Sequence, residues 1–195
     1  NQVIVVTLII TIVMNMFGFP YQHMVPVIGA ETLNVGPLLI GVLLAVEGVG
    51  ATTGSLVIAL GARPGGYTKI YSIGSVLFLT AILLFSLSPS FWMAIPILLI
   101  GGFAMSGFTT MQSVIVITST PSEIRGRVLG VLAASVGTGP FGALLVGALA
   151  TWWGANHAVT AIAVVGLTLT VISLLIWPSY LKSAVRQSGS GPAVS

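Results

Sequence analysis

Cysteine and aspartate are both absent from this chain; glutamate occurs three times, and lysine and arginine together six times. Without cysteine, no disulfide and no thiolate metal site can form. Only 5% of the residues are charged, against about 25% in an ordinary soluble domain. A water-exposed surface cannot be built from such a composition. No His-Glu-x-x-His motif and no pair of intramembrane carboxylates is present, so the usual zinc and carboxylate protease sites are missing. What the chain does have is apolar bulk: 56% of its 195 residues are hydrophobic and the mean hydropathy is +1.13. The net charge of +3 comes from connecting loops and suits anionic lipid headgroups rather than nucleic acid. Neither an initiator methionine nor a basic leader with a cleavage site precedes the first apolar run, so no signal peptide is expected and the chain reads as a piece of a longer one.

The six basic residues fall in three stretches: Arg63 and Lys69, Arg125 and Arg127, Lys182 and Arg186. A pair of long apolar segments precedes each. A chain that crosses a bilayer twice between basic stretches returns them to one face, which the positive-inside rule makes cytoplasmic. Spans need roughly 20 apolar residues, and the spacing predicts them at about 3–27, 37–60, 69–88, 91–118, 128–150 and 158–177. Both ends are then cytoplasmic. Trp92, Trp152 and Trp153 are expected at the outer interface, and Tyr67, Tyr71, Trp177 and Tyr180 near the inner one. Residues 1–178 are expected to form one transmembrane bundle, and 179–195, rich in Ser and Gly, a disordered cytoplasmic tail.

The second span holds Gly41, Gly48, Gly50 and Gly54, and the fifth holds Gly130, Gly137, Gly139, Gly142 and Gly147 with Pro140. Small residues allow close backbone approach, so these two helices are expected to be central, and the bulkier third and sixth peripheral. Gly137, Gly139, Pro140 and Gly142 are expected to bend the fifth. Aligning Gly41 with Gly130 without gaps gives 10 identities in 20 positions up to Leu60 on Leu149. An offset of three spans means opposite crossing directions, so the chain is expected to be an all-α integral membrane protein with an inverted 3+3 repeat.

Few polar groups enter the spans. Glu47 is the one ionisable residue deep in a span, about 15 Å from the outer end of its helix. A carboxyl there costs roughly 2.5–3.5 kcal/mol and normally faces a cavity. No basic residue of the sequence is placed to reach it, so its expected partner is a proton, a substrate cation, water or a group outside the chain; the competing reading is a protonated carboxyl bonded to a backbone carbonyl. Asn15 and Gln112, in the first and fourth spans, are candidates to line the same cavity or to pin helix to helix. An intramembrane protease is not expected: Ser106 lies roughly 22 Å below the outer end of its helix, whereas His157 sits in an outer loop. A channel would need rings of polar residues along a pore, and three polar groups do not make them.

The fourth inner segment reads Thr120-Pro121-Ser122-Glu123-Ile124-Arg125-Gly126-Arg127. Locally it predicts a helix start, with Thr120 as cap, Pro121 in the first turn, Glu123 closing a capping box and Glu123 paired to Arg127 at i,i+4. In its motifs the chain resembles the major facilitator superfamily, and within it the branch of the enterobactin exporter and macrolide efflux proteins. Pro121, Glu123, Arg125, Gly126, Arg127 and Gly130 match the loop between helices 10 and 11 of that branch. Gly137, Gly139, Pro140, Gly142, Leu144, Leu145, Gly147, Leu149 and Ala150 match its helix 11, and Asn15, Phe17, Gly18, Phe19 and Pro20 look like its helix 7. The resemblance implies the C-terminal half of a twelve-helix secondary transporter of the bacterial inner membrane, without cofactor, whose partners are a small-molecule substrate, membrane lipid and the missing N-terminal half. Proton-coupled efflux by antiport, of a drug or siderophore-like compound, is the activity it implies. One departure is Ala62, which stands where the superfamily's gate motif between helices 8 and 9 often has aspartate.

Overall fold

The computed structural model describes residues 2–180, and these form eight α-helices and three short irregular helical segments. Proline and glycine set most of the boundaries. Helix α1 (Gln2–Val13) runs into a π-helical turn at Met14–Gly18 and a 3-10 segment at Phe19–His23, followed by α2 (Val25–Glu31). Pro20 explains the irregularity: it has no N–H to donate to Met16, and its ring would clash with that carbonyl in a regular helix. The ladder therefore widens, and the Phe19 N–H reaches the Met14 carbonyl five residues back. Helix α3 (Pro37–Gly61) starts on a proline in its first turn and ends before Arg63-Pro64. Helices α4 (Tyr67–Ser86) and α5 (Phe91–Ser119) follow. Pro121 forces Thr120 into an extended conformation and stops α5.

The fifth span is two helices, α6 (Arg125–Val136) and α7 (Gly139–Trp153). Its repeat partner α3 is continuous. The position equivalent to Ala51 is Pro140, which cannot donate to the Val136 carbonyl, and the helix breaks at Gly137–Thr138 just before it. Gly154, at φ +81°, turns the chain into α8 (Ala155–Ile176). Six apolar helical segments are long enough to cross a bilayer: Gln2–His23, Pro37–Gly61, Tyr67–Ser86, Phe91–Ser119, Arg125–Trp153 and Ala155–Ile176. The chain is a multi-pass, all-α membrane domain.

Burial within this domain is uneven among the spans. The central windows of the first and third spans are 56% buried and that of the fourth is 50%, whereas the glycine-rich second and fifth are 22% and 17% buried. Within this domain α4 is core and α3, α6 and α7 are rim. The glycines of α3 serve one neighbour: a Cβ on Gly50 would strike the Leu99 carbonyl, and one on Gly54 would lie 2.7 Å from the Phe103 carbonyl. Gly41, Gly48, Gly130 and Gly147 meet nothing.

Two tyrosines expected at the membrane interface are in the core as well. Tyr71 and Tyr180 are fully buried against a ladder of Thr7, Thr11 and Asn15, which share one face of the first span at i,i+4 spacing. The Tyr71 hydroxyl donates to the Thr7 carbonyl (2.9 Å) and lies 3.0 Å from the Thr11 hydroxyl; the Tyr180 hydroxyl lies 3.0 Å from that of Thr7. A phenol has a hydroxyl that can be satisfied inside a bundle when a second polar side chain faces it, and the threonines provide that partner. Ser179 and Tyr180, the first two residues of the expected tail, make contacts: the Ser179 hydroxyl donates to the Gln2 side chain (2.9 Å), and Tyr180 is buried. The remainder of that tail, 181–195, lies outside the described residues, as do Lys182 and Arg186.

The capping box at Thr120–Glu123 does not form. Residues 122–124 make a turn, α6 begins at Arg125 with no side-chain cap, and the buried Thr120 hydroxyl has no hydrogen-bond partner among the described residues. Thr120 is committed to ending α5, so its geometry cannot also start α6. Glu123 instead accepts a hydrogen bond from Ser122 (3.1 Å). Its own backbone N–H, then Ser122, then the nearby Arg125 hold its carboxyl below the usual range. Arg125 donates to the Thr120 carbonyl (3.3 Å), and Arg127 is exposed.

Candidate functional site

Glu47 sits on the face of α3 that packs against the irregular part of the first span. Its Oε1 accepts a 2.5 Å hydrogen bond from the Tyr21 hydroxyl and a 3.1 Å bond from the Gln22 side-chain amide. The side chain is 4% exposed. The expectation that Glu47 would face an open cavity is thus replaced by a carboxyl enclosed within the domain, and its partners lie within this chain. They are neutral donors, neither a cation nor a backbone carbonyl.

Each component of the site has a local cause. The 3-10 segment Phe19–His23 presents consecutive side chains, Tyr21 and Gln22, to the same carboxyl oxygen. Tyr21 is wedged edge-on between Phe78 and Phe85 of α4, with ring centroids 5.8 and 6.2 Å away, which fixes the direction of its hydroxyl. On the other side of α3, Gly102 of α5 lies directly against the Glu47 backbone carbonyl, and a Cβ there would be 3.0 Å from the Ala51 nitrogen. Glu47 is therefore held by backbone contact with α5 and by side-chain contact with the 3-10 segment.

Asn15 lies in the π-helical turn, 8% exposed, and donates to the Thr11 carbonyl (2.9 Å). Its Oδ1 is 4.0 Å from where a Cβ on Gly139 would be, at the start of α7. One turn on, Gly142 packs on the Met16 carbonyl and within 2.6 Å (Cβ position) of the Pro20 ring. The irregular stretch of the first span and the break in the fifth therefore meet face to face. That is where Asn15, Gly139, Pro140 and Gly142 are gathered. Irregular turns of this kind inside helices are frequent at functional sites.

Gln112 is not part of either group. It is half-buried on α5, and its Oε1 is buried without a hydrogen-bond partner among the described residues. Ten residues separate it from Gly102, the α5 residue level with Glu47, or roughly 15 Å along the helix. Arg125, Gly126 and Arg127 lie at the end of α5 and start of α6, further still. Ser106 donates to the Phe103 carbonyl (2.6 Å) and is buried, while His157 is exposed beside the Trp153 carbonyl, so they form no nucleophile–base pair.

The residues that sequence reasoning missed are Tyr21 and Gln22, the donors to Glu47, together with Thr7, Thr11 and Tyr71. The threonine–asparagine spacing at 7, 11 and 15 was a readable signal of a buried polar face. Nothing in the sequence linked positions 21 and 47, which are joined by tertiary packing alone.

Curated proteins give no match to this chain. Residues 3–193, however, match the family model described as Major Facilitator Superfamily. The match covers the described transmembrane segments, and with six apolar helices among the described residues it identifies a membrane transporter domain. The chain belongs to the major facilitator superfamily.

Proposed function

We propose that this chain is one six-helix half of a secondary active transporter of the bacterial cytoplasmic membrane, working by alternating access and coupling efflux of a small organic compound to proton entry. The observation that carries the reading is the Tyr21–Glu47–Gln22 cluster: a carboxyl of α3 deep in an apolar bundle, held by the 3-10 segment of the first span. Both donors come from the 3-10 segment, so a proton or cation taken up at the carboxyl would compete with these contacts and bias the position of the segment. Movement of Phe19–His23 would open the enclosed carboxyl to a proton or to a cationic part of the substrate. Asn15 and Gln112 are the further candidates for substrate contact, and the break at Gly137–Pro140 is the bending element beside Asn15.

The second half of the transporter would cover α3, α6 and α7. Their low burial and the empty space at Gly41, Gly48, Gly130 and Gly147 support a partner helix bundle there, because small residues permit close helix approach. Drug-like or siderophore-like substrates fit the efflux reading, and Arg125 and Arg127 would anchor the loop at the cytoplasmic face. The test is Glu47→Gln, which keeps shape and hydrogen bonding but cannot ionise. In everted vesicles containing the full-length transporter, the variant is expected to lose the pH dependence of efflux of cationic substrates while its expression stays normal. A wild-type pH profile would return Glu47 to a structural role.

A further inference from the structure

Helix α4 carries three residues on one face near the basic end of the bundle: Lys69, Ile73 and Leu77, spaced by four. Lys69 is exposed, and Ile73 and Leu77 are 64% and 40% exposed. An apolar groove lies on each side of this ridge. One, of about 350 Å³, is walled by α3 and α5 at Ile58, Phe103 and Gly107; the other, also about 350 Å³, runs along α4 to Leu174 of α8. Ile73 and Leu77 line both. The first groove reaches Gly61 and Ala62, next to exposed Arg63. No acidic residue occurs between Glu47 and Glu123, so the positive charge of Arg63 and Lys69 is uncompensated by their own loop.

We infer that this ridge is a binding site for one anionic glycerophospholipid. Its phosphate lies between Arg63 and Lys69, and its two acyl chains descend in the two grooves, straddling Ile73 and Leu77. The dimensions agree. Lys69 to Leu77 is eight residues, or roughly 12 Å along the helix, and one leaflet of the hydrocarbon core is about 15 Å deep. A two-groove site with a shared ridge matches a two-chain lipid better than a single-chain ligand. Charge sets the headgroup: an anionic one gains attraction from both basic side chains, while a zwitterionic one brings its own cation next to them. Arg125 offers no equivalent, being half-buried and bonded to the Thr120 carbonyl.

Two measurements on the full-length protein in detergent test this. Native mass spectrometry with equimolar phosphatidylglycerol and phosphatidylcholine of identical acyl chains is expected to show preferential retention of phosphatidylglycerol. Arg63→Gln and Lys69→Gln should each reduce that preference by about fivefold, and Arg127→Gln should leave it within twofold. No preference, or an equal loss in Arg127→Gln, overturns the site. Because these are surface positions, the second measurement needs no variant: phosphatidylglycerol with a photoreactive acyl chain should label wild-type protein at Ile73, Leu77 or Leu174, and unlabelled phosphatidylglycerol but not phosphatidylcholine should compete. Labelling spread evenly over α3, α4, α7 and α8 would mean ordinary solvating lipid and would sink the proposal.

Discussion

A carboxyl group at the depth of Glu47 is tolerated because two neutral donors reach one of its oxygens and because the side chain is closed off from lipid by the 3-10 segment. Removing the Tyr21 hydroxyl leaves Gln22 as the one side-chain donor to that oxygen among the described residues. Interhelical hydrogen bonds in membrane proteins are worth about 0.6 kcal/mol on average and up to about 1.7, and this one is short. Tyr21→Phe is therefore expected to lower stability by about 1–2 kcal/mol, read as thermal or denaturant unfolding in detergent micelles. A double-mutant cycle with Glu47→Gln should give a coupling energy clearly above zero. Strict additivity of the two substitutions would mean that the contact contributes nothing. The edge-on packing of the ring against Phe78 and Phe85 is kept by phenylalanine, so the measured loss belongs to the hydroxyl.

At the scale of helices, prolines and glycines divide the labour. Pro20 and Pro140 interrupt two spans that face each other, and the resulting backbone contacts, Gly142 on the Met16 carbonyl and Gly139 beside Asn15, exist because no side chain separates the helices. Glycines that meet nothing have a different role from those that meet backbone. Gly102 lies against the Glu47 carbonyl, so Gly102→Leu requires α3 and α5 to separate. It is expected to abolish folding or cost more than about 3 kcal/mol, the upper range for overpacking a tight core. Gly147, with open space at its Cβ position, is a matched control. Gly147→Leu should express and purify as a monodisperse six-helix domain, with its effect confined to association with the second half and to transport. If both variants behaved alike in size-exclusion profile and melting temperature, the packing between α3 and α5 would be wrong.

For the molecule as a whole, alternating crossings return Arg63 and Lys69 to the same end as Arg125 and Arg127, and Trp92, Trp152 and Trp153 are exposed at the other. Exposed apolar side chains such as Leu38, Leu60 and Leu175 cover the outside, as a surface solvated by lipid requires. The orientation proposed for this fold puts the basic end in the cytoplasm. The chain contains no cysteine, so single introduced cysteines report without background. Thr32, Pro89 and Ala155 should react with an impermeant thiol reagent added to intact cells, and Gly65 and Ser122 only after permeabilisation. Labelling of Ser122 in intact cells would invert the topology and remove the cytoplasmic assignment of Arg125 and Arg127.

Composition alone determined the class of this protein. Scarce charge and long apolar runs leave a chain no stable place except a bilayer, and the segregation of six basic residues fixed the number of crossings, because both are properties of local sequence against a solvent of known thickness. The family resemblance was legible in the loop from Pro121 to Gly130 for the same local reason. Which helices are central was not legible. Glycine content shows that a helix can be approached closely, but not by which partner, and six of the glycines in α3, α6 and α7 have nothing within 4 Å of their Cβ position among the described residues. The partners of Glu47, Tyr71 and Tyr180 were likewise decided by tertiary structure, since hydrogen bonds between residues 26, 60 and 173 positions apart depend on how helices cross. A phenol at a span's end is an interfacial anchor when it faces lipid and a core hydrogen-bonding group when it faces threonine, and only the packing selects between them.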